Sequence, residues 1–238
     1  MAGGAQDTGR RGDALSRERI VAAAVALLDT AGEGGLTFRA LSTQLKTGPG
    51  AIYWHVANKD ELLAAATGAV LADATTTAQG APEDAIRAVA LGVFDAIDDH
   101  PWIGTQLARA PAQPVMRQIF ERIGRQVQAL GVPAGDQFTS ASALLNYILG
   151  VGGQNAANAR TQQSGTDRTA LLETESAVWA NLDPDEYPFL RDIAGQLADH
   201  DDRAQFLAGV DLILAGIARL RQGPAAAGRP VPGRSPAR

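Results

Sequence analysis

The chain contains no cysteine, which excludes disulfides, thiolate nucleophiles and thiolate metal sites together. Histidine is almost as scarce. His55, His100 and His200 are scattered along 238 residues, and without cysteine they form no ligand constellation, so neither a metal nor a cofactor is expected. No apolar run approaches the roughly 18–20 residues that cross a bilayer. The opening MAGGAQDTGRRGDALSRER has arginines with no apolar core behind them, unlike a secretory signal. A cytoplasmic protein with no membrane partner is the expectation. Nor does any useful stretch alternate with period two, which argues against a β-sheet.

Catalytic signatures are missing as well. There is no G-x-S-x-G, no H-E-x-x-H and no Walker loop. Asp98-Asp99 and Asp201-Asp202 are adjacent carboxylates, and neighbours on a helix point about 100° apart, so within each pair the two do not converge. Gly150-Val151-Gly152-Gly153 has Asn155 where the third glycine of a dinucleotide loop belongs, and no strand precedes it; a close helix crossing or a kink is the better reading. An enzyme is therefore disfavoured.

What the sequence does contain is helical patterning, with 45% hydrophobic residues, enough for a substantial core in an all-α fold. Its organising stretch is TFRALSTQLKTGPGAIYWHVANKDELL, residues 37–63. Thr37 suits an N-cap, and Leu41 and Leu45 repeat at i, i+4. Lys46-Thr47-Gly48 breaks that pattern. Pro49 then opens a second short helix, Gly50 to His55, at a position where its missing N–H costs nothing. Asn58 followed three residues later by Glu61 is capping-box spacing ahead of Leu62-Leu63. Two short helices across a tight turn follow helix-turn-helix grammar. Ahead of them, Ser16 can cap a first helix whose Ile20, Ala23, Ala24, Leu27 and Leu28 run with helical period to a turn at Gly32–Gly35.

Tyr53, Trp54, His55, Val56, Lys59 and Leu62-Leu63 in one register, after Thr37-x-Arg39 and before an alanine-rich helix, make residues 16–71 resemble the DNA-binding head of the TetR family of transcriptional regulators. That resemblance implies a three-helix head with a helix-turn-helix, joined to a larger helical ligand-binding and dimerisation domain. On it, residues 1–14 form a flexible arm, 15–58 the head, 59–222 the body and 223–238, rich in Pro and Gly, a disordered tail. Arg10, Arg11 and Arg17 could reach a phosphate or an adjacent minor groove, against the plainer reading of a solvated tail.

By resemblance, Arg39 matches a position for base or backbone contact, and Thr37, Tyr53, His55 and Lys59 match phosphate-holding positions. Trp54 either wedges against the sugar-phosphate wall or packs. The sequence departs from the family pattern in the reading helix, where Gly48, Pro49, Gly50 and Ala51 offer no side-chain hydrogen bond to bases. Readout then leans on Arg39, on Thr47, on apolar contact from Pro49 or Ala51 to thymine methyls, and on DNA shape. The charge balance permits this use. Residues 1–60 carry seven Lys/Arg against six Asp/Glu, whereas the remainder carries fourteen against twenty, and both lysines, Lys46 and Lys59, fall in the head.

Beyond the fourth helix (Lys59 into the mid-70s), the pattern predicts helices over 82–99, 101–110, 113–130, 136–163, 167–181, 187–199 and 202–221. Phe206 to Leu220 is apolar over more than one stripe, more than a single core contact needs. GVDLILAGIARL also resembles the closing helix of the TetR-class body, which implies a homodimer through Leu144, Ile148, Val210, Ile213, Leu214 and Ile217. Candidate ligand contacts are Phe94, His100, Trp102, Gln106, Met116, Asn146, Tyr147 and Trp179, aromatics and amides of the kind small-molecule pockets use. The resemblance implies a regulator, expected to be a repressor released from palindromic operator DNA by a small-molecule effector. A helical small-molecule-binding protein with a weak or vestigial DNA head is the alternative these residues leave open.

Overall fold

The computed structural model describes residues 15–74, 80–109, 113–162 and 168–221. Among the described residues there are eleven helices and no strand. The segments read as an arm (1–14) and a tail (223–238) lie outside the described residues, and so do Arg10 and Arg11.

The first four helices are set by their ends. Ser16 Oγ accepts from the Arg19 N–H at the start of α1 (Arg17–Gly35), and Thr37 Oγ1 accepts from Ala40 N–H at the start of α2 (Phe38–Leu45). The turn expected at Gly32 is a kink, with φ 65° and ψ −172°, after which α1 adds one more turn. At the end of α2, Lys46 takes the left-handed conformation (φ 52°, ψ 46°), its N–H reaching Thr43 O and the Thr47 N–H reaching Ser42 O. This is a Schellman closure with lysine where glycine is usual. α3 (Pro49–Tyr53) follows. Asn58 Oδ1 then accepts from Glu61 N–H, and Glu61 Oε2 accepts from Ala57 N–H, opening α4 (Lys59–Ala74). Glu61 Oε1 also pairs with Arg17 at 2.9 Å, which engages that guanidinium within the head.

The body comprises α5 (Pro82–Asp99), α6 (Trp102–Arg109), α7 (Pro114–Ala129), α8 (Ala134–Gln162), α9 (Arg168–Ala180), α10 (Pro188–Ala198) and α11 (Asp202–Arg221). Each matches its sequence-based segment to within two residues at either end. Ile20, Leu41, Ile52 and Leu62 of the head and Val93, Ile97, Ile103, Ile119, Leu144, Phe206 and Val210 of the body belong to one continuous buried cluster. Each fully buried side chain of this size contributes about 1.5–3 kcal/mol relative to exposure. α9 and α10 differ from the rest: they pack chiefly on each other, α9 buries no residue and α10 buries only Ala194.

The glycine-rich part of α8 is a close crossing. A Cβ at Gly152 would meet Ile97 Cδ1 at 2.5 Å, and one at Gly104 would meet Ala156 Cβ at 2.7 Å. The sequence motif thus marks where α5 and α6 approach α8.

The two glycine-like positions make opposite predictions. Gly104→Ala gains helix propensity but forces its Cβ against a rigid Ala156, so thermal unfolding is expected to show a net loss of about 1–2 kcal/mol. Lys46→Gly relieves the left-handed strain and is expected to raise stability by about 1 kcal/mol.

Candidate nucleic-acid interface and body cavity

Ile52 and Val56 are buried beneath the turn, so the residues between and beside them face outward. Trp54 is 90% exposed and Tyr53 53%. The Tyr53 ring stacks on Phe38 with centroids 4.4 Å apart and planes 9° apart, locking α3 to α2. Thr37, Arg39, Lys46, Pro49 and Gly50 are exposed, and Thr47, Ala51 and His55 are half-buried. Together they form a surface of two cations, two aromatic rings and a helix start whose side chains are small enough for close approach.

Lys59 is partly withdrawn from that surface. It is half-buried, and its Nζ donates to Glu33 O at 2.6 Å, capping the end of α1. Lys46, which the pattern marked only as a turn residue, is the more accessible cation. Its left-handed backbone, a tertiary feature without a clear local signal, turns it outward.

A polar seam missed in the sequence joins head to body. Asp29 Oδ1 lies 2.6 Å from His100 Nδ1 and accepts from Trp102 Nε1 at 2.7 Å. Glu33 Oε2 accepts from Gln106 Nε2 at 3.1 Å and from Arg109 at 2.8 Å. The acidic residues at the end of α1 read as solvated charges until α6 is brought to them.

That seam engages part of the expected ligand-contact set, with His100, Trp102 and Gln106 bonded to α1. Met116 is core, and Phe94, stacked on Phe206 at 4.6 Å, lines a second cavity of about 350 Å³ with Asp98 and His200. Asn146 is exposed on the outer face of α8. Tyr147 and Trp179, by contrast, line a cavity of about 610 Å³ between α8, the α9–α10 hairpin and α11. Its other walls were not anticipated. Gln154, Asn155 and Asn158 share one face of α8 and resemble an ordinary solvent stripe; Leu171, Leu172, Ile193 and Leu197 come from the hairpin. At the hairpin's root, Asp202 receives Arg168 at 2.5 Å and His200 Nε2 at 2.7 Å. Burial pushes the Tyr147 phenol upward in pKa. Asp98 is likewise raised, by burial first and then by the nearby charges of Asp99, Asp202 and Asp95. Carboxylates that diverge along one helix therefore meet again across two.

The expected dimer residues lie on the core-facing side of α8 and α11. Leu144, Ile148, Val210, Leu214 and Ile217 are buried within the protomer, and Ile213 is half-buried. They form the inner stripe. The second stripe that made this helix too apolar for a single contact carries Leu212 (76% exposed), Ala215, Gly216 and Leu220 on α11; Ala143 and Asn146 are exposed on α8.

Comparison with known proteins fits this arrangement. A model of the tetR family of bacterial regulatory proteins matches residues 20–66, and a model of the tetracyclin repressor-like C-terminal domain matches residues 76–221. An HTH-type transcriptional regulator of Saccharopolyspora erythraea is 31% identical, over 86% of this chain and 85% of its own. A TetR transcriptional regulator of known structure from Streptomyces coelicolor is 57% identical, with a TM-score of 0.82, covering 87% of this chain and all of that one. The BioQ structure with its double-stranded DNA operator is 27% identical, with a TM-score of 0.57, over 87% and 99% of the two chains. Two family models spanning head and body, together with these relatives, give one conclusion: the chain belongs to the TetR family of transcriptional regulators.

Proposed function

We propose that the chain acts as a homodimeric repressor that holds an inverted-repeat operator through residues 37–59 and releases it when a small molecule occupies the body, residues 59–222. The observation that carries this reading is the exposed Arg39, Lys46, Tyr53 and Trp54 on a turn anchored from below by Ile52 and Val56. Operator binding by BioQ supports it.

In this reading the start of α3 enters the major groove. Its small Gly48, Pro49, Gly50 and Ala51 let the backbone approach closely, with Pro49 or Ala51 against thymine methyls and Thr47 beside them. A guanidinium at Arg39 takes guanine O6 and N7 together, worth about 1–3 kcal/mol of discrimination. Thr37, Tyr53, His55 and Lys46 position phosphates, and the flat Trp54 lies against the sugar wall. Lys59 contributes what its bond to Glu33 leaves, and acts chiefly by tying α4 to α1.

Release needs a ligand with different affinity for the two head arrangements. The cavity is walled by α8 and α11, both of which pack on α5; α5 packs on α4, and α6 holds α1 through Asp29 and Glu33. Movement of the body helices therefore reaches the head by two routes, and a coupling of about 1–3 kcal/mol suffices for effector control.

Three outcomes test this. Duplexes selected from a random pool are expected to be inverted repeats, bound with an affinity that falls log-linearly with salt; Lys46→Ala lowers the slope by about one, and an unchanged slope removes Lys46 from the contact. Trp54→Ala is expected to weaken binding while leaving the melting temperature unchanged, because so exposed a ring adds little to the fold. Light scattering is expected to give twice the 24.7 kDa chain mass, with Leu212→Glu shifting it to monomer; a wild-type monomer at micromolar concentration contradicts the dimer.

A further inference from the structure

At the edge of the outward-facing turn, one carboxylate takes two donors. Glu61 Oε2 accepts from the Ala57 N–H at 2.8 Å, and Glu61 Oε1 accepts from Arg17 Nη2 at 2.9 Å. The first bond closes the capping box of α4 together with Asn58. The second joins residues 44 apart in sequence and belongs to no local motif. Ala57 lies three residues past Trp54, and both are exposed, so the pair sits beside the surface assigned to DNA. The first turn of α1 is on the same side. Its Glu18 carboxyl is held below the usual range by hydrogen bonds from its own backbone and from Ser16, and then by the charges of Arg17 and His55.

A guanidinium beside a backbone N–H is the donor set that proteins turn toward DNA phosphates. Here the carboxylate of Glu61 occupies both. The two side chains are 46% and 38% exposed, and an ion pair so open adds little to the fold. Its electrostatic setting matters more. The first turns of α1 and α4 carry Glu18, Asp60 and Glu61, while the basic side chain that opens α4, Lys59, is bonded to Glu33 O. Arg17 is thus a cation at the rim of the contact surface whose charge is answered from within the protein.

From this we infer that Glu61 is a positioning residue that withholds Arg17 from DNA: its carboxylate is an internal rival of the phosphate backbone and limits how tightly the head holds any duplex. This role rests on the DNA-binding reading above and adds to it a residue that restrains affinity rather than supplying it. Freed from the carboxylate, the Arg17 guanidinium gains one phosphate contact, and the counterion released there steepens the salt dependence by about 0.9. At about 0.1 M salt that amounts to a gain of about five- to tenfold. A phosphate contact carries no sequence information, so the gain is the same on every duplex. A carboxylate that merely stapled α4 to α1 would behave differently: its loss would lower the melting temperature and leave the salt slope alone.

The test titrates the full-length protein with a fluorescent duplex of random sequence, so that no operator need be known, and reads anisotropy over a series of salt concentrations. Glu61→Gln is the informative variant, because glutamine still accepts from the Ala57 N–H, as a capping box allows, while losing the charge. It is expected to bind about five- to tenfold more tightly than wild type at about 0.1 M salt, with a slope steeper by about one. Arg17→Gln is then expected to cost at least about threefold more in the Glu61→Gln background than in wild type, which is the coupling between the two side chains. Circular dichroism confirms that all three variants keep their helices. An unchanged slope in Glu61→Gln, a gain that survives the loss of Arg17, or equal effects of Arg17→Gln in both backgrounds overturns the role of Glu61 and leaves the regulator reading standing. Absence of binding by wild type and Glu61→Gln alike, at low salt, ends both.

Discussion

A helix of five residues has no stability of its own, because its few hydrogen bonds do not repay the cost of nucleation. α3 persists because Ile52 and, just beyond its end, Val56 are buried in the core cluster, and because α3 packs on α2, where Tyr53 stacks on Phe38. The surface offered to DNA depends on that arrangement. Thr37, the left-handed Lys46 and the Asn58–Glu61 pair fix where each helix starts or stops. Trp54 is left outside because Ile52 and Val56, two residues to either side of it, are held inside.

The same constraint ties the head to the body. α1 packs on α2, which carries α3, and its far end, on either side of the kink at Gly32, is gripped by α6 through Asp29 and Glu33. A shift of α6 is therefore a pull on the support of the reading helix. α4 gives the second connection, running from its cap at Asn58 onto α5. The cavity sits at the other end of these contacts, where the α9–α10 hairpin lies over α8 with little core of its own. A wall so lightly packed is the part of the body that a ligand moves most easily.

Local chemistry made much of this readable from sequence. Caps, Pro at first turns and helical period gave the helix bounds, and the register from Tyr53 to Leu63 gave the head. The crowded Gly152 was readable as a close crossing because a glycine run inside a helix has few other uses. What escaped was long-range. Asp29 lies some seventy residues from His100 and Trp102, and Glu33 as far from Gln106, so nothing local pairs them. Gln154, Asn155 and Asn158 carry the composition of a wet helix face, and only the hairpin opposite makes them a wall. Leu144 and Val210, expected at the interface, are buried within the protomer; apolarity identifies burial without saying on which side of the helix it occurs.

Hydrogen exchange with and without a selected duplex tests the central claim most directly, since it reports the contact surface without altering it. The account predicts new protection of backbone amides concentrated in residues 37–59, with α9 and α10 unchanged. Protection confined to the body, or no gain across α2 and α3 while duplex is demonstrably bound, would contradict it.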